Sequence, residues 1–296
     1  MPVPIFSSPS ASRSPPTNGE LLITLGPQFW SNYTSANSIN LDLAGPQRHP
    51  RACPGPPRGK AVRPEAGFGA VMRVGIIGSG GVAQNLGAGF LAKGHEVAIG
   101  TRDPKATLAK STPDAMGTPP MSAWLKANPK AKVVTMAEAA KHGELLVFAV
   151  HGHNIADAVK AAGPDNLAGK LVLDTSNPLE FGSNGAHKPE SIPDSCMQVA
   201  QRAAPKAKFV KAWNCTPGHL MANPKIPGGG DQFICGDDAK AKEQAAKILK
   251  EFGWGVADVG DASMAPYVEG MGLTVINQAV KANDWGWIVK LNGRRT

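Results

Sequence analysis

Cysteine is scarce in this chain. Four stand among 296 residues, Cys53, Cys196, Cys215 and Cys235, and no two share a C-x-x-C spacing. That pattern argues against a thiolate zinc site or a disulfide framework and suits a reducing compartment such as the cytoplasm. No apolar run approaches the roughly 18 residues of a membrane span, so no membrane partner is expected. Aromatic residues make up only 6% and do not interleave with the basic ones. The formal charge of +8 is therefore scattered rather than striped, and no nucleic-acid partner is expected from it. The sequence also shows no nucleophile–base pair and no cluster of metal-ligand spacing.

What is present divides the chain unevenly. Residues 1–71 hold 12 of the 26 prolines, with much Ser, Gly and Asn. A stretch such as Arg51-Ala-Cys-Pro-Gly-Pro-Pro-Arg cannot continue a helix or a strand, and disorder is expected there. Three readings of the segment stay open: a targeting peptide, a flexible tail, or an upstream stretch with Met72 as the true start. Glu20, Asp42 and Glu65 count against targeting. The third reading is favoured, because the first strand begins directly after Met72.

That strand carries the strongest signal. Val74, Ile76 and Ile77 form a short apolar run. Gly78-Ser79-Gly80-Gly81-Val82-Ala83 follows at once and fits G-x-G-x-x-A. Val82, Leu86, Phe90 and Leu91 then share one helical face. Strand, glycine turn and helix in this order are the setting of a dinucleotide-binding turn. Gly78 permits the tight turn, Gly80 lets backbone approach a pyrophosphate, and Ala83 lets the helix pack closely. The helix N-terminus offers unpaired N–H groups to phosphate.

The second strand, over His95–Gly100, ends in Thr101-Arg102-Asp103-Pro104-Lys105. An NAD site usually places Asp or Glu at this strand end to hold the ribose 2′-hydroxyl. Here a hydroxyl, a guanidinium and the nearby ammonium of Lys105 suit a 2′-phosphate instead, which favours NADP. Asp103 comes one residue late and could cap the helix after Pro104.

Further apolar runs over Lys132–Thr135, Leu145–Val150, Lys170–Thr175 and Lys208–Ala212 read as parallel strands separated by helices. Val150 and His151 close the fourth strand, Asn177 follows the fifth, and Asn214 follows the sixth. Ligands of open α/β sheets bind at the carboxyl ends of strands, so these residues should line the nicotinamide half of the site. After Asn214 a short strand, a helix over Ala241–Phe252, another strand and a stripe of Met264, Tyr267, Val268, Met271, Val275 and Ile276 follow. The stripe reads as core packing. The expected fold is α/β: a Rossmann-type doubly wound parallel sheet over 72–214 with a small C-terminal α+β subdomain over 215–296.

Several stretches together carry a family resemblance: Met72-Arg-Val-Gly-Ile-Ile-Gly-Ser-Gly-Gly, Gly100-Thr-Arg, Asp174-Thr-Ser-Asn-Pro, Val210-Lys-Ala-Trp-Asn, Phe233-Ile-Cys-Gly-Asp-Asp and Phe252-Gly-Trp. In this order they resemble the F420-dependent NADP reductase family, including related bacterial dinucleotide-binding proteins and the NADPH domains of metalloreductases. The likeness runs from Met72 to about Leu291. It implies NADPH on Gly78, Ser79, Gly80, Gly81 and Val82, with Thr101 and Arg102 at the 2′-phosphate and the His151, Asn177 and Asn214 loops around the nicotinamide. It implies hydride exchange with a small-molecule redox acceptor, coenzyme F420 or a flavin-like ring, and a homodimer. Such a transfer needs positioning more than acid–base help. His151 is the candidate catalytic residue, as a hydrogen-bond or proton donor to the acceptor, with His153 beside it. Two alternatives remain at this point: a reductase of small imines or carbonyls, and a non-catalytic NADP-binding module.

Overall fold

The computed structural model describes residues 70–114, 116–182, 185–188, 194–226 and 229–291. The chain divides into units 1–58 and 59–296, and every described residue lies in the second. The expectation for residues 1–71 thus lies outside the described residues, save Ala70 and Val71.

The six parallel strands are β1 (Arg73–Ile77), β2 (Glu96–Thr101), β3 (Lys132–Thr135), β4 (Leu145–Phe148), β5 (Leu171–Asp174) and a later strand over Lys208–Lys211. Between β5 and that strand the chain makes a small antiparallel hairpin, β6 (Glu180–Gly182) and β7 (Gly185–His187), so the sixth parallel strand is β8. The sheet order is β3-β2-β1-β4-β5-β8. The order reverses between β1 and β4, and at such a switch point a crevice opens outside the strand ends. β4 and β5 are buried at every position, as the Leu/Val/Phe run of β4 and the Leu-Val-Leu run that opens β5 require when both faces are covered.

Helices cover both faces. On one lie α1 (Gly81–Ala92) and α3 (Met121–Ala127), where Leu86, Phe90 and Trp124 pack on Val74, Ile76 and Val147. A short α2 (Pro104–Ala109) precedes α3. On the other lie α4 (Met136–His142), α5 (Ile155–Ala162), the single turn α6 (Pro164–Leu167) and α7 (Cys196–Ala203). There Ala139, Val159, Met197 and Ala200 pack on Ile77, Leu146, Phe148 and Phe209. Fully burying one such aromatic or leucine stabilises the fold by roughly 1.5–3 kcal/mol. Capping boxes start two of these helices, Thr135 with Glu138 for α4 and Ser195 with Gln198 for α7.

The remaining chain adds β9 (Asp231–Ile234), α8 (Ala239–Glu251), β10 (Gly255–Asp258) and α9 (Ala265–Ala282). β9 and β10 are parallel, and α8 contributes Ile248 and Leu249 to the same apolar layer as α1. Cys235 makes an antiparallel bridge to Lys211, with Lys211 N donating to Cys235 O at 2.9 Å, so the chain after β9 runs against the outer edge of β8. The stripe expected as core packing on α9 is met at Val268 and Val275, with Met264 and Met271 against the same core, but not at Tyr267. The buried line of α9 runs through Ala265, Val268, Gly272, Val275 and Ala279, whereas Tyr267 is 69% exposed. Small residues let the helix lie close to the strand ends, which places the larger Tyr267 outside.

Two further differences are local. The stretch after Pro178, to which the sequence reading assigns no strand, contains the β6–β7 hairpin, fastened by Asn277 of α9. Its Nδ2 donates to Ala186 O at 2.6 Å and its Oδ1 accepts from Ala186 N at 2.8 Å. The strand expected to run to Val150 ends at Phe148, so Val150 and His151 lie in the loop.

Candidate functional site

The glycine turn is built as its sequence demands. Gly78 sits at φ +123°, where an added Cβ would collide with the carbonyl of Ala149. Its N–H donates to Gly100 O at 2.8 Å, fixing the turn to the end of β2. Gly80 occupies the N-cap of α1 in extended backbone, and no side chain caps that helix. A Cβ on Gly80 would meet no protein atom within 4 Å. The space beside the uncapped N-terminus is therefore open to a ligand. Gly81 and Val82 begin the helix; Ala83 is fully buried against the sheet. Ser79 is half-buried, with its carbonyl facing the Gln84 amide.

The cofactor-selecting strand end divides its residues sharply. Thr101 is buried, and its hydroxyl lies 2.8 Å from that of Thr107. Asp103 caps α2, its Oδ1 accepting from Ala106 N at 2.9 Å. Arg102 and Lys105 are exposed. Among the described residues no ion pair occupies Arg102. A carboxylate spent on a helix cap and a guanidinium left in solvent leave cationic groups beside the glycine turn.

Three strand ends converge on the far side of the crevice. Val150 is half-buried and His151 is exposed at the start of a 3₁₀ turn over Gly152–Asn154. His153 turns away from the strand ends, its Nε2 lying 2.8 Å from Glu180 Oε1 on β6. Gly152 is buried so close to the next loop that a Cβ would stand 2.5 Å from Asn177 O and 2.7 Å from Cys196 Sγ. Asn177 and Asn214 join the β5 and β8 loops: Asn214 Nδ2 donates to Asn177 Oδ1 at 3.1 Å and to Ser176 O at 2.8 Å, and Asn177 Nδ2 donates to Asn214 O at 3.2 Å. Asn214 Oδ1 is buried with no hydrogen-bond partner. The turn that brings Asn214 here is made by Trp213, which is fully buried at φ +61°. This unusual backbone costs of order 1–3 kcal/mol. Edge-on packing of Trp213 on Phe90 and Phe252, at 6.5 and 5.5 Å, holds it.

Residues that sequence reasoning left unassigned lie behind and beside this wall. Lys211 is fully buried at the end of β8. Its Nζ donates to Asp174 Oδ2, Glu269 Oε1 and Ser176 O, each at 2.6 Å. Burial disfavours its charge, but the two carboxylates prevail and hold its pKa above the ordinary lysine value. Burial raises the Glu269 carboxyl against the opposing pull of Lys211. Burial likewise pushes the thiols of Cys196, Cys215 and Cys235 up to about 12, so they stay neutral. The available signal was a charged residue closing each of two otherwise apolar strands, Asp174 and Lys211. Thr118 was also unforeseen; its hydroxyl would lie 3.1 Å from a Cβ on Gly81, which places it at the head of α1. No sequence pattern marked that loop. Among the described residues no group of three or more His, Cys, Asp or Glu side chains could hold a metal ion, and no helix is long and apolar enough to cross a membrane.

Comparison with known proteins places this geometry in context. The family of coenzyme F420-dependent NADP oxidoreductases matches residues 73–178. A candidate F420-dependent NADP-reductase from Arthrobacter sp. FB24 is 35% identical in its crystal structure, covering 75% of this chain and all of that one, with a TM-score of 0.70. A hypothetical protein from Sinorhizobium meliloti, 24% identical over 66% of this chain and 89% of its own, shares the fold with a TM-score of 0.52. Metalloreductase STEAP3 of Rattus norvegicus is 29% identical over 69% of this chain. This chain spans only 37% of that relative and 36% of Metalloreductase STEAP2 of Homo sapiens. The glycine turn, the strand order and the long match to a solved structure agree, and the chain belongs to the family of F420-dependent NADP oxidoreductases.

Proposed function

We propose that the protein is an NADPH-dependent oxidoreductase that exchanges hydride with a deazaflavin, coenzyme F420, or with a flavin-like ring. The observation that carries this reading is the cradle at Gly80. An uncapped helix N-terminus with open space before it lies beside an arginine that has no ion pair among the described residues, while the neighbouring carboxylate of Asp103 is spent on a helix cap. Backbone N–H groups of Gly81 and Val82 would receive the pyrophosphate, helped by the helix dipole. Arg102 and Lys105 would hold the 2′-phosphate, with Thr101 supporting the strand end. Bound NADPH supplies the hydride. Val150, His151, Asn177 and Asn214 would line the nicotinamide end, fixing the ring rather than moving protons. His151, exposed on the loop, is assigned to hydrogen-bond the acceptor. We assign cofactor binding to residues 72–214 and cover of the strand ends to 215–296.

Mixing the purified protein with NADPH and F420, and separately with FMN, ferric chelates and small carbonyls, tests this reading. Bleaching of the F420 absorbance at the expense of NADPH is the expected result. NADPH binding without oxidation by any acceptor would replace it with a non-catalytic NADP-binding role.

A further inference from the structure

The buried charge cluster behind the nicotinamide wall is a poor device for stability. One ammonium and two carboxylates leave a net negative charge in the interior, and removing such ions from water costs more than well-packed apolar side chains would. Its geometry is nevertheless complete. The three hydrogens of the Lys211 ammonium meet three acceptors: Asp174 at the end of β5, Ser176 in the loop after it and Glu269 on α9. Asp174 Oδ1 accepts from Ser176 N at 3.0 Å and from Ser176 Oγ at 2.6 Å. Glu269 on α9 accepts from Cys196 N at 3.1 Å and Met197 N at 3.3 Å, at the start of α7.

The contacts of Asp174, Lys211 and Asn214 bear on one residue's backbone, that of Ser176. Ser176 O accepts from both Lys211 Nζ and Asn214 Nδ2, so both its lone pairs are engaged. Asn214 Nδ2 faces only acceptors, Ser176 O and Asn177 Oδ1, which fixes which way its amide points. Asn177 is fixed in turn by donating to Asn214 O. The orientation of both amides thus follows from the placement of one carbonyl, and Lys211 holds that carbonyl.

We infer that Lys211, clamped between Asp174 and Glu269, is a positioning residue that acts through Ser176 O and the buried Asn214 to set the Asn177 amide for the carboxamide of a nicotinamide ring. The inference rests on the NADPH reading above. A primary carboxamide has donor and acceptor side by side, and the half-buried Asn177 amide keeps one N–H and one oxygen lone pair unspent to complement it. The neutral thiols of Cys196 and Cys215 do not compete for the lysine charge.

The test is a double variant of the full chain, Lys211→Met with Glu269→Gln, which keeps the same single buried negative charge on Asp174. Calorimetry then compares NADPH with 2′-phospho-ADP-ribose, which lacks the nicotinamide. Affinity for the fragment should stay within about twofold, as for sites that do not couple. Affinity for NADPH should fall about tenfold, the size expected when one charged hydrogen-bonding partner is lost. Should the double variant not fold, Glu269→Gln alone carries the test, with the same selective pattern and a smaller loss. Equal losses for both ligands, or no loss for either, would overturn the inference while leaving NADPH binding intact. Wild-type protein that binds neither ligand would overturn the cofactor reading and this inference with it.

Discussion

Arg102→Ala is the sharpest test of cofactor choice. In the folded protein this side chain is exposed and has no ion pair among the described residues. Truncating it removes no internal contact, so the change in stability should remain within about 0.5 kcal/mol. The consequence for binding is much larger. A hydrogen bond between charged partners is worth roughly 1.5–3 kcal/mol, or about ten- to a hundredfold in Kd. Exposure to solvent puts the expected loss near the lower end. NADPH should therefore bind at least about tenfold more weakly to the variant, whereas NADH, which lacks the 2′-phosphate, should change by no more than about twofold. Fluorescence titration of both nucleotides, at low and high salt, measures this. The wild-type preference for NADPH should narrow as salt rises, because exposed charges are screened over about a Debye length. Equal losses for NADPH and NADH would refute the assignment of Arg102 to the 2′-phosphate.

Other substitutions separate the cradle from its supports. Asp103→Ala removes the α2 cap, which should cost about 1 kcal/mol and lower the melting temperature while leaving the NADPH-over-NADH ratio unchanged. Gly152→Ala places a methyl group against Asn177 O and Cys196 Sγ, so NADPH turnover should fall by about tenfold or more; an unchanged rate would show that the two loops need not touch. His95 is held below its ordinary pKa of 6.5 by burial and by the charge of Lys93, and its Nδ1 accepts from Met72 N. The folded state thus binds fewer protons there than the unfolded chain. The stability this contributes is present above pH 6.5 and is lost as the pH falls below it. The urea midpoint should decline across that window, and less steeply in His95→Gln.

The parts of the fold legible in the sequence are those whose cause is local. The β1 turn and α1 announce themselves because the apolar strand, the glycines Gly78 and Gly80 and the small Ala83 stand within a few residues of one another in the sequence. The apolar runs Leu145–Phe148 and Leu171–Leu173 reveal strands buried on both faces. Asp103 before Pro104 foretold its cap. What stayed hidden depends on partners far along the chain. The three-residue strands β6 and β7 carry no periodic signal, and their docking rests on Asn277, 91 residues from Ala186. Glu269 reaches back 73 residues to Cys196, and neither residue alone hints at the other. Tyr267 read as core because it continues an apolar stripe. The helix instead turns the line Ala265, Val268, Gly272, Val275 and Ala279 inward, and Gly272 lies so close to Asn214 O that a Cβ would stand 2.4 Å from it.

The bridge between Cys235 and Lys211 has a consequence for colloidal behaviour. It seats the returning chain against the outer flank of β8 at Lys211, so part of that border is already taken and a stranger's backbone meets a shortened row of amides and carbonyls. The opposite border is β3, four residues long and beginning with the exposed Lys132. A short margin that starts with a hydrated charge is a weak template for strand addition. One border is thus partly plugged by the chain's own return and the other is too brief to recruit, and by this route the parallel sheet resists growing into its neighbours in a concentrated solution.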